Sequence, residues 1–350
     1  MILVLSVATV LWLIGWLMKA PRRARWTMIG LWMAAILLGH VLLPDGHPIR
    51  AATGHDVRLW ALIIGFGGAI ALYRVGLGRL RAQAQQQPSA PVTAKPTFSD
   101  TELDRYARHM MLREIGGLGQ KKIKNAKVLV IGAGGLGSAS LLYLAAAGVG
   151  TVGIVDDDVV DNSNLQRQII HADARIGQPK VQSAAAAMVA INPWVTTRLY
   201  NRRLTETEAE DLFAQYDLIL DGTDNFATRY MVNQAAVRVR KPLIAAAMTQ
   251  WEGQISLYDP AHGGPCYQCV FPEAPAPGLV PSCAEAGVLG PLPGVIGSMM
   301  AAEAIKQITG AGQGLRGRLM IYDALYADSR ILRTKLRDDC PCCSGGRLPS

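Results

Sequence analysis

The sequence predicts an α/β protein: a doubly wound, mostly parallel sheet preceded by three transmembrane helices. Three observations predict it. Beyond residue 100, short runs rich in β-branched residues alternate with helical stretches, as in KVLVIG followed by GAGGLGSASLLYLAAAGV. Such alternation gives parallel strands covered by helices. A glycine-rich turn joins that first strand to its helix. Nearly all the excess apolarity of the 350 residues falls before residue 80, in three long runs.

The first two runs, 1–18 and 26–43, carry no charge if His40 is neutral, and a third, 59–73, continues past Arg74 through VGLG. A spanning helix needs about 17–25 mostly apolar residues. The first two runs qualify, and the third does if Arg74 reaches back toward the headgroups. Lys19, Arg22, Arg23 and Arg25 lie in the first loop without an acid. In the second loop Arg50 and Arg58 are balanced by Asp45 and Asp56, and Arg74, Arg79 and Arg81 follow the third run. The positive-inside rule then places everything after residue 80 in the cytoplasm and the N-terminus outside, in a multi-pass protein of the inner (cytoplasmic) membrane. A cleaved signal peptide would begin with a basic segment, which residues 1–18 lack. Residues 1–80 are therefore expected to form a three-helix membrane anchor. Residues 81–98, centred on AQAQQQPSAPVTAKPT, have no apolar period and are expected to form a linker.

The net charge of +8 is spread largely beside the apolar runs rather than along one face, so no nucleic-acid partner is expected. Residues 99–350 have the size of one domain. Its first element, DTELDRYARHMMLREIG, is a helix that Ser99 or Asp100 can cap. Strands follow at KVLVIG, TVGIVDDD, YDLILDGTDN, KPLIAAAM and GQISLYD, with helices at TETEAEDLFAQ and ATRYMVNQAAVRV. A hydrophobic helix around IGSMMAAEAIKQI and the strands RGRLMIYDA and SRILRTKLR complete the domain.

Gly132, Gly134 and Gly137 lie between a strand and a helix, where glycine lets backbone amides approach phosphates at the helix N-terminus. Asp156 ends the next strand, the place of an acid that holds ribose hydroxyls. These features alone fit a nicotinamide-dependent oxidoreductase equally well. Asn164, Arg167 and Gln168 in DNSNLQRQ, with Lys180 in GQPK, favour a triphosphate instead, because cations there offset the charge of departing pyrophosphate. Asp224 and Asn225 in DGTDN offer oxygen to Mg2+, which usually takes one or two carboxylates plus substrate phosphates.

Five of the six cysteines fall into two groups, Cys266 with Cys269, and Cys340 with Cys342 and Cys343. Two C-x-x-C knuckles fit a closed tetrahedral Zn2+ site formed by Cys266, Cys269, Cys340 and Cys343. Cys342 is surplus, either an alternative ligand or a free thiol. Cys283 stands alone in PGLVPSCAEAG, where burial as a small hydrophobe is the simpler fate.

Together, GAGGLGS, the DxDxVxxSNLQRQ pattern, GQPK, DGTDNFATRY and PSCAEAGVLGPLPGVIGS make residues 100–343 resemble the bacterial ubiquitin-activating-type family. The apolar N-terminal segment lies outside the match. The resemblance implies a Rossmann-like homodimer that uses ATP and Mg2+ to adenylate the terminal glycine carboxylate of a ubiquitin-like sulfur-carrier protein. It ranks the molybdopterin-synthase branch ahead of the thiamine branch. It implies that Gly135 and its neighbours approach ATP and that Asp156 holds the ribose. Asn164, Arg167 and Lys180 would meet phosphates, Asp224 would hold Mg2+, and the zinc knuckles would fall at the cysteine pairs. It also implies that Arg108, in RYARH, reaches into the partner subunit's site, and that Cys283 links covalently to the activated carrier in some members. The chain ends seven residues after Cys343, so a separate sulfur donor is expected. An inactive membrane-tethered binding protein is a further alternative, disfavoured by the intact Asp156, Arg167, Lys180 and Asp224.

Overall fold

The computed structural model describes residues 2–44, 46–54, 57–86, 97–276 and 286–344. They form two compact units, Met1–Lys95 and Pro96–Ser350.

The first unit is helical: α1 (Ile2–Leu17), α2 (Arg22–Leu42), α3 (Pro48–Thr53) and α4 (Val57–Gln86). Trp12 and Trp26 meet edge to face at 5.0 Å and join α1 to α2. His40 is buried, with its ring nitrogens against the carbonyls of Ile36 and Gly54, which ties α2 to the end of α3. Leu31, Leu62 and Leu72 face outward. The expectation of three spanning helices is not met. Among the described residues, only α2 is both long and apolar enough to cross a membrane. At 1.5 Å per residue the 16 residues of α1 reach about 24 Å, short of a hydrocarbon core of about 30 Å. The 30 residues of α4 have length to spare, and Arg58, Arg74, Arg79 and Arg81 flank its apolar run at 59–73.

In the second unit, α5 (Asp100–Met110) starts at Ser99, whose hydroxyl accepts from the Glu102 amide while Glu102 reaches back to the Ser99 amide. This reciprocal cap satisfies two otherwise orphaned donors. Next come α6 (Gly116–Asn125), β1 (Lys127–Ile131), α7 (Gly135–Ala147), β2 (Thr151–Val155), α8 (Lys180–Ile191), β3 (Thr196–Tyr200), α9 (Glu206–Ala214) and β4 (Leu218–Asp221). The chain continues through α10 (Phe226–Arg238), β5 (Leu243–Met248), β6 (Glu252–Tyr258), α11 (Tyr267–Val270), α12 (Leu292–Thr309), β7 (Arg318–Asp323) and β8 (Asp328–Arg333).

The eight strands lie in the order β3-β2-β1-β4-β5-β6-β7-β8. Strands β1 to β5 are parallel, and β6 to β8 add antiparallel pairs, so the sheet is mixed rather than mostly parallel across its width. The reason is connection length. Three residues separate β5 from β6 and four separate β7 from β8, enough for hairpins and too few for a crossover. β3 was not legible in the sequence. It is an edge strand exposed along much of its length, so TTRLY shows no clear apolar alternation.

Both faces of the sheet are covered. Val128 and Val130 of β1 join Leu141 and Leu144 of α7, Met188 of α8 and Ile296 of α12 in one core. Leu129 and Ile131 point the other way, toward Phe213 of α9 and Val232 of α10. The period-two alternation of β1 thus divides the core in two. Since β2 and β4 flank β1 on opposite sides, the chain reverses its winding there, and the carboxyl ends of β1 and β4 part to leave a crevice.

Candidate active site

At that crevice lies a cavity of about 1030 Å³. One wall is the turn after β1. Gly132 has φ +92°, in the left-handed region that glycine occupies without strain. A side chain there would also press on the Gly222 backbone at 3.3 Å. Gly134 and Gly135 line the cavity where α7 begins. Gly137 does not. It is buried, and an added Cβ would stand 2.0 Å from the Gly132 carbonyl oxygen. Gly137 stands outside the lining, where its missing side chain lets the helix close onto the turn.

Asp156 follows β2 and lines the same cavity. One carboxylate oxygen accepts the Ala133 amide at 2.7 Å and the other the Asp158 amide at 2.9 Å. Burial raises its pKa above the ordinary 3.8, the two backbone amides pulling the other way. Lys180 opens α8, and its ammonium meets Asp158 at 2.7 Å. The lysine side chain is 5% exposed and the aspartate 67%, so the cation is embedded while its partner faces water. Arg167 lines the cavity and donates to Asn164 Oδ1 at 2.7 Å and to the Ser163 carbonyl at 3.1 Å. Asn164 is not in the lining itself and acts by aiming Arg167. Gln168 lines the cavity, buried, and its Oε1 has no hydrogen-bond partner among the described residues.

The opposite wall follows β4. Asp224 and Asn225 both line the cavity. Asn225 Oδ1 accepts the Thr228 amide at 2.8 Å, so that oxygen caps α10 and is already engaged. Asp224 is exposed toward the cavity. Asp221, fully buried beneath, accepts the Thr223 amide at 2.9 Å and its hydroxyl at 2.7 Å, while Arg229 donates to the Thr223 carbonyl. The loop bearing Asp224 is thus held from below.

The ThiF family model matches residues 106–342. The chain belongs to the ThiF family. Among its relatives, the probable adenylyltransferase/sulfurtransferase MoeZ of Mycobacterium tuberculosis is 54% identical over 72% of this chain and 66% of that protein. The chain thus spans slightly under two thirds of that relative's length. The sulfur carrier protein adenylyltransferase of Thermus thermophilus is 50% identical over 70% of this chain and 92% of that protein. Crystallised E. coli MccB, solved with AMPCPP and MccA, shares the fold at TM-score 0.62 and 23% identity, covering 70% of this chain and 75% of that one.

One expected position of this ThiF-family chain falls elsewhere. Arg108 is exposed on α5 and lines a separate cavity of about 390 Å³ with His109, Tyr143 and Ser298. Cys283 lies outside the described residues.

The other cysteines assemble as their spacing predicts. Cys266, Cys269, Cys340 and Cys343 are buried, with all four sulfurs within 4.8 Å of one another. The separations are 3.8 Å for Cys266–Cys269, 3.6 Å for Cys266–Cys340 and 3.4 Å for Cys269–Cys343. Ligands of a tetrahedron with Zn–S bonds of about 2.3 Å stand about 3.8 Å apart. The donor set fits Zn2+. Cys342 packs against the four, its thiol beside Cys266, and also meets Asn233, whose Nδ2 donates to its sulfur at 3.3 Å while Oδ1 accepts the Tyr267 amide.

Sequence reasoning missed Asp158, Asp221 and Arg229. Asp158 stood in the DDD run, but nothing in the sequence tied it to a lysine 22 residues away. Arg229 lay in the DGTDNFATRY motif and was read only as helix.

Proposed function

We propose that this chain adenylates the C-terminal glycine carboxylate of a ubiquitin-like sulfur-carrier protein, with ATP as donor and pyrophosphate as product. The observation that carries the reading is the convergence of the glycine turn, Asp156, Arg167, Lys180 and Asp224 on one cavity at the switch point. The cavity lies at the upper end of the range for small-molecule sites, roughly 300–1,000 Å³, leaving room for a peptide tail beside a nucleotide. The names of the mycobacterial and Thermus relatives support it.

In this reading the ribose meets Asp156 and the phosphates meet the amides at the start of α7. A carrier carboxylate oxygen attacks the α-phosphorus, the bond to the bridging oxygen breaks, and pyrophosphate leaves. The nucleophile is already an anion, so no general base is required. Arg167 and Lys180 offset repulsion between two anions and stabilise charge on the leaving group. Mg2+ at Asp224 would supply further positive charge to the phosphate oxygens. Zn2+ at the four cysteines would hold the C-terminal segment to the domain without taking part in the reaction. Arg108 lies outside the crevice cavity of its own chain and is exposed on α5, which suits a residue that serves a second copy's site in a homodimer. The molybdopterin-type carrier is the favoured substrate and the thiamine-type carrier the alternative, with sulfur from a separate donor protein. A hydride-transfer enzyme has no use for the buried lysine and the arginine beside the turn.

The N-terminal unit is proposed as a membrane anchor led by α2, with the catalytic unit on the cytoplasmic side. Lys19, Arg22, Arg23 and Arg25 support placing the start of α2 on the cytoplasmic side, and the return of the chain to that side for the catalytic unit rests on a second crossing by the 30-residue α4. A reporter fused at the C-terminus that proves active only outside the cytoplasm overturns it.

The deciding test is ATP–pyrophosphate exchange by the full chain with each carrier separately. Exchange with one carrier, lost in Asp224→Ala, is the expected result. No exchange with either carrier overturns the reading.

A further inference from the structure

His171 takes no part in the cavity lining, yet it is 8% exposed and both ring nitrogens are engaged. Nε2 lies 2.9 Å from the carbonyl oxygen of Ala133, in the middle of the glycine turn. A carbonyl only accepts, so Nε2 carries the proton. Nδ1 lies 2.9 Å from Ser183 Oγ. In the neutral ring Nδ1 is then the acceptor and the serine hydroxyl the donor. Burial, together with the nearby positive charges of Lys180 and Arg175, lowers the ring's pKa and favours this neutral form.

Ser183 sits three residues after Lys180, on the first turn of α8. Its carbonyl accepts Arg175 Nη1 at 2.8 Å. The preceding peptide is held as well, the Ala133 amide donating to Asp156. Ala133 is therefore gripped on both sides, its N–H in the 132–133 peptide by Asp156 and its C=O in the 133–134 peptide by His171. The histidine carries that grip across to the helix bearing the buried lysine.

We infer that His171 is a positioning residue that fixes the amides of the glycine turn relative to Lys180, so that the two act on the same phosphate chain. This rests on the adenylation reading. Without the strut, the 133–134 peptide can rotate and turn the Gly134 and Gly135 amides off line. Misplacement by an ångström is enough to lose about a hundredfold in rate.

The test uses the full chain and three variants, reading equilibrium ATP affinity, exchange kcat and KM, and thermal melting. His171→Phe fills the space without either polar contact. His171→Gln keeps an N–H donor that can reach Ala133. Ser183→Ala removes only the hydroxyl that orients the ring. The expected result is a kcat loss of roughly ten- to a hundredfold in His171→Phe, with a smaller loss of ATP affinity alongside it. His171→Gln should restore most of it, Ser183→Ala should show a smaller loss, and melting should stay close to the parent's. Parental kinetics in His171→Phe overturn the inference. So do equal losses in the Phe and Gln variants, which mark the ring as packing alone. If His171→Phe fails to fold, the comparison of the Gln and Ser183→Ala variants with the parent decides: parental kcat in Ser183→Ala overturns it. Absence of exchange in the parent chain is a failure of the adenylation reading. In that case the strut is still tested by ATP affinity across the same variants, where no difference overturns it.

Discussion

The cavity and the cysteine cluster are both gatherings of reactive side chains, but they close on different things. The four cluster sulfurs face one another in a buried shell. Around the cavity, Asp224, Arg167 and the amides at the start of α7 face open space, and the contacts that aim them lie behind: Asn164 behind Arg167, Asp221 and Arg229 behind the Asp224 loop. The difference teaches how to separate chemistry from architecture. Groups that satisfy one another hold a fold together, whereas groups held from behind and left facing a cavity are poised for a ligand.

The strongest way to break this contrast is at the cluster. Cys266→Ser should lower the unfolding free energy by several kcal/mol, because structural zinc binding contributes directly to folding, about 10–16 kcal/mol in small peptides. Zinc analysis and denaturant titration check it, and undiminished stability would remove the structural role. Next in size, Lys180→Ala should lower exchange kcat by about 10²–10³-fold, on the scale of losing one preorganised donor. Its stability should change little, because Asp158 remains solvated. A large loss of melting temperature with modest loss of rate would put Lys180 with the architecture. Gly137→Ala should destabilise the unit by about 1–3 kcal/mol, as overpacking does, since its Cβ would meet a backbone oxygen at 2.0 Å.

A finer distinction comes from pH. The raised pKa of Asp156 means that its contribution to folding is fully present below 3.8 and is lost as pH rises through the folded value. Nucleotide binding runs the other way and needs the carboxylate. ATP affinity should therefore fall on acidification at a pH above the ordinary aspartate range, and Asp156→Asn should flatten that limb. The smallest effect is expected for Cys342→Ser, below about 1 kcal/mol, since a hydroxyl can keep weak contacts with Cys266 and Asn233 and the four clustered cysteines remain.

Much of this was legible in the sequence because the informative contacts are local. The glycine turn, the DGTDN loop and both cysteine pairs are short segments whose spacing already states their geometry. The cap at Ser99 was readable for the same reason. What escaped depends on distance along the chain. The Lys180–Asp158 pair spans 22 residues and the His171–Ala133 contact 38, and neither leaves a periodic trace. β3 escaped because an edge strand need not alternate, and Gly137 because close packing and ligand approach ask for the same residue. The N-terminal runs misled through composition: apolar content was read as span, while the 16 residues of α1 fall short of one.

The cysteine shell also has a history written into it. Its two halves are separated by 74 residues, counting from Cys266 to Cys340 and from Cys269 to Cys343. During synthesis the first pair leaves the ribosome with α12 and the β7–β8 hairpin still to come. Two thiols alone make a poor trap for a metal that wants four. The shell can therefore close only after the segment between its halves has emerged, so that Zn2+ bound there would act as a late checkpoint that a truncated or misregistered nascent chain could not pass.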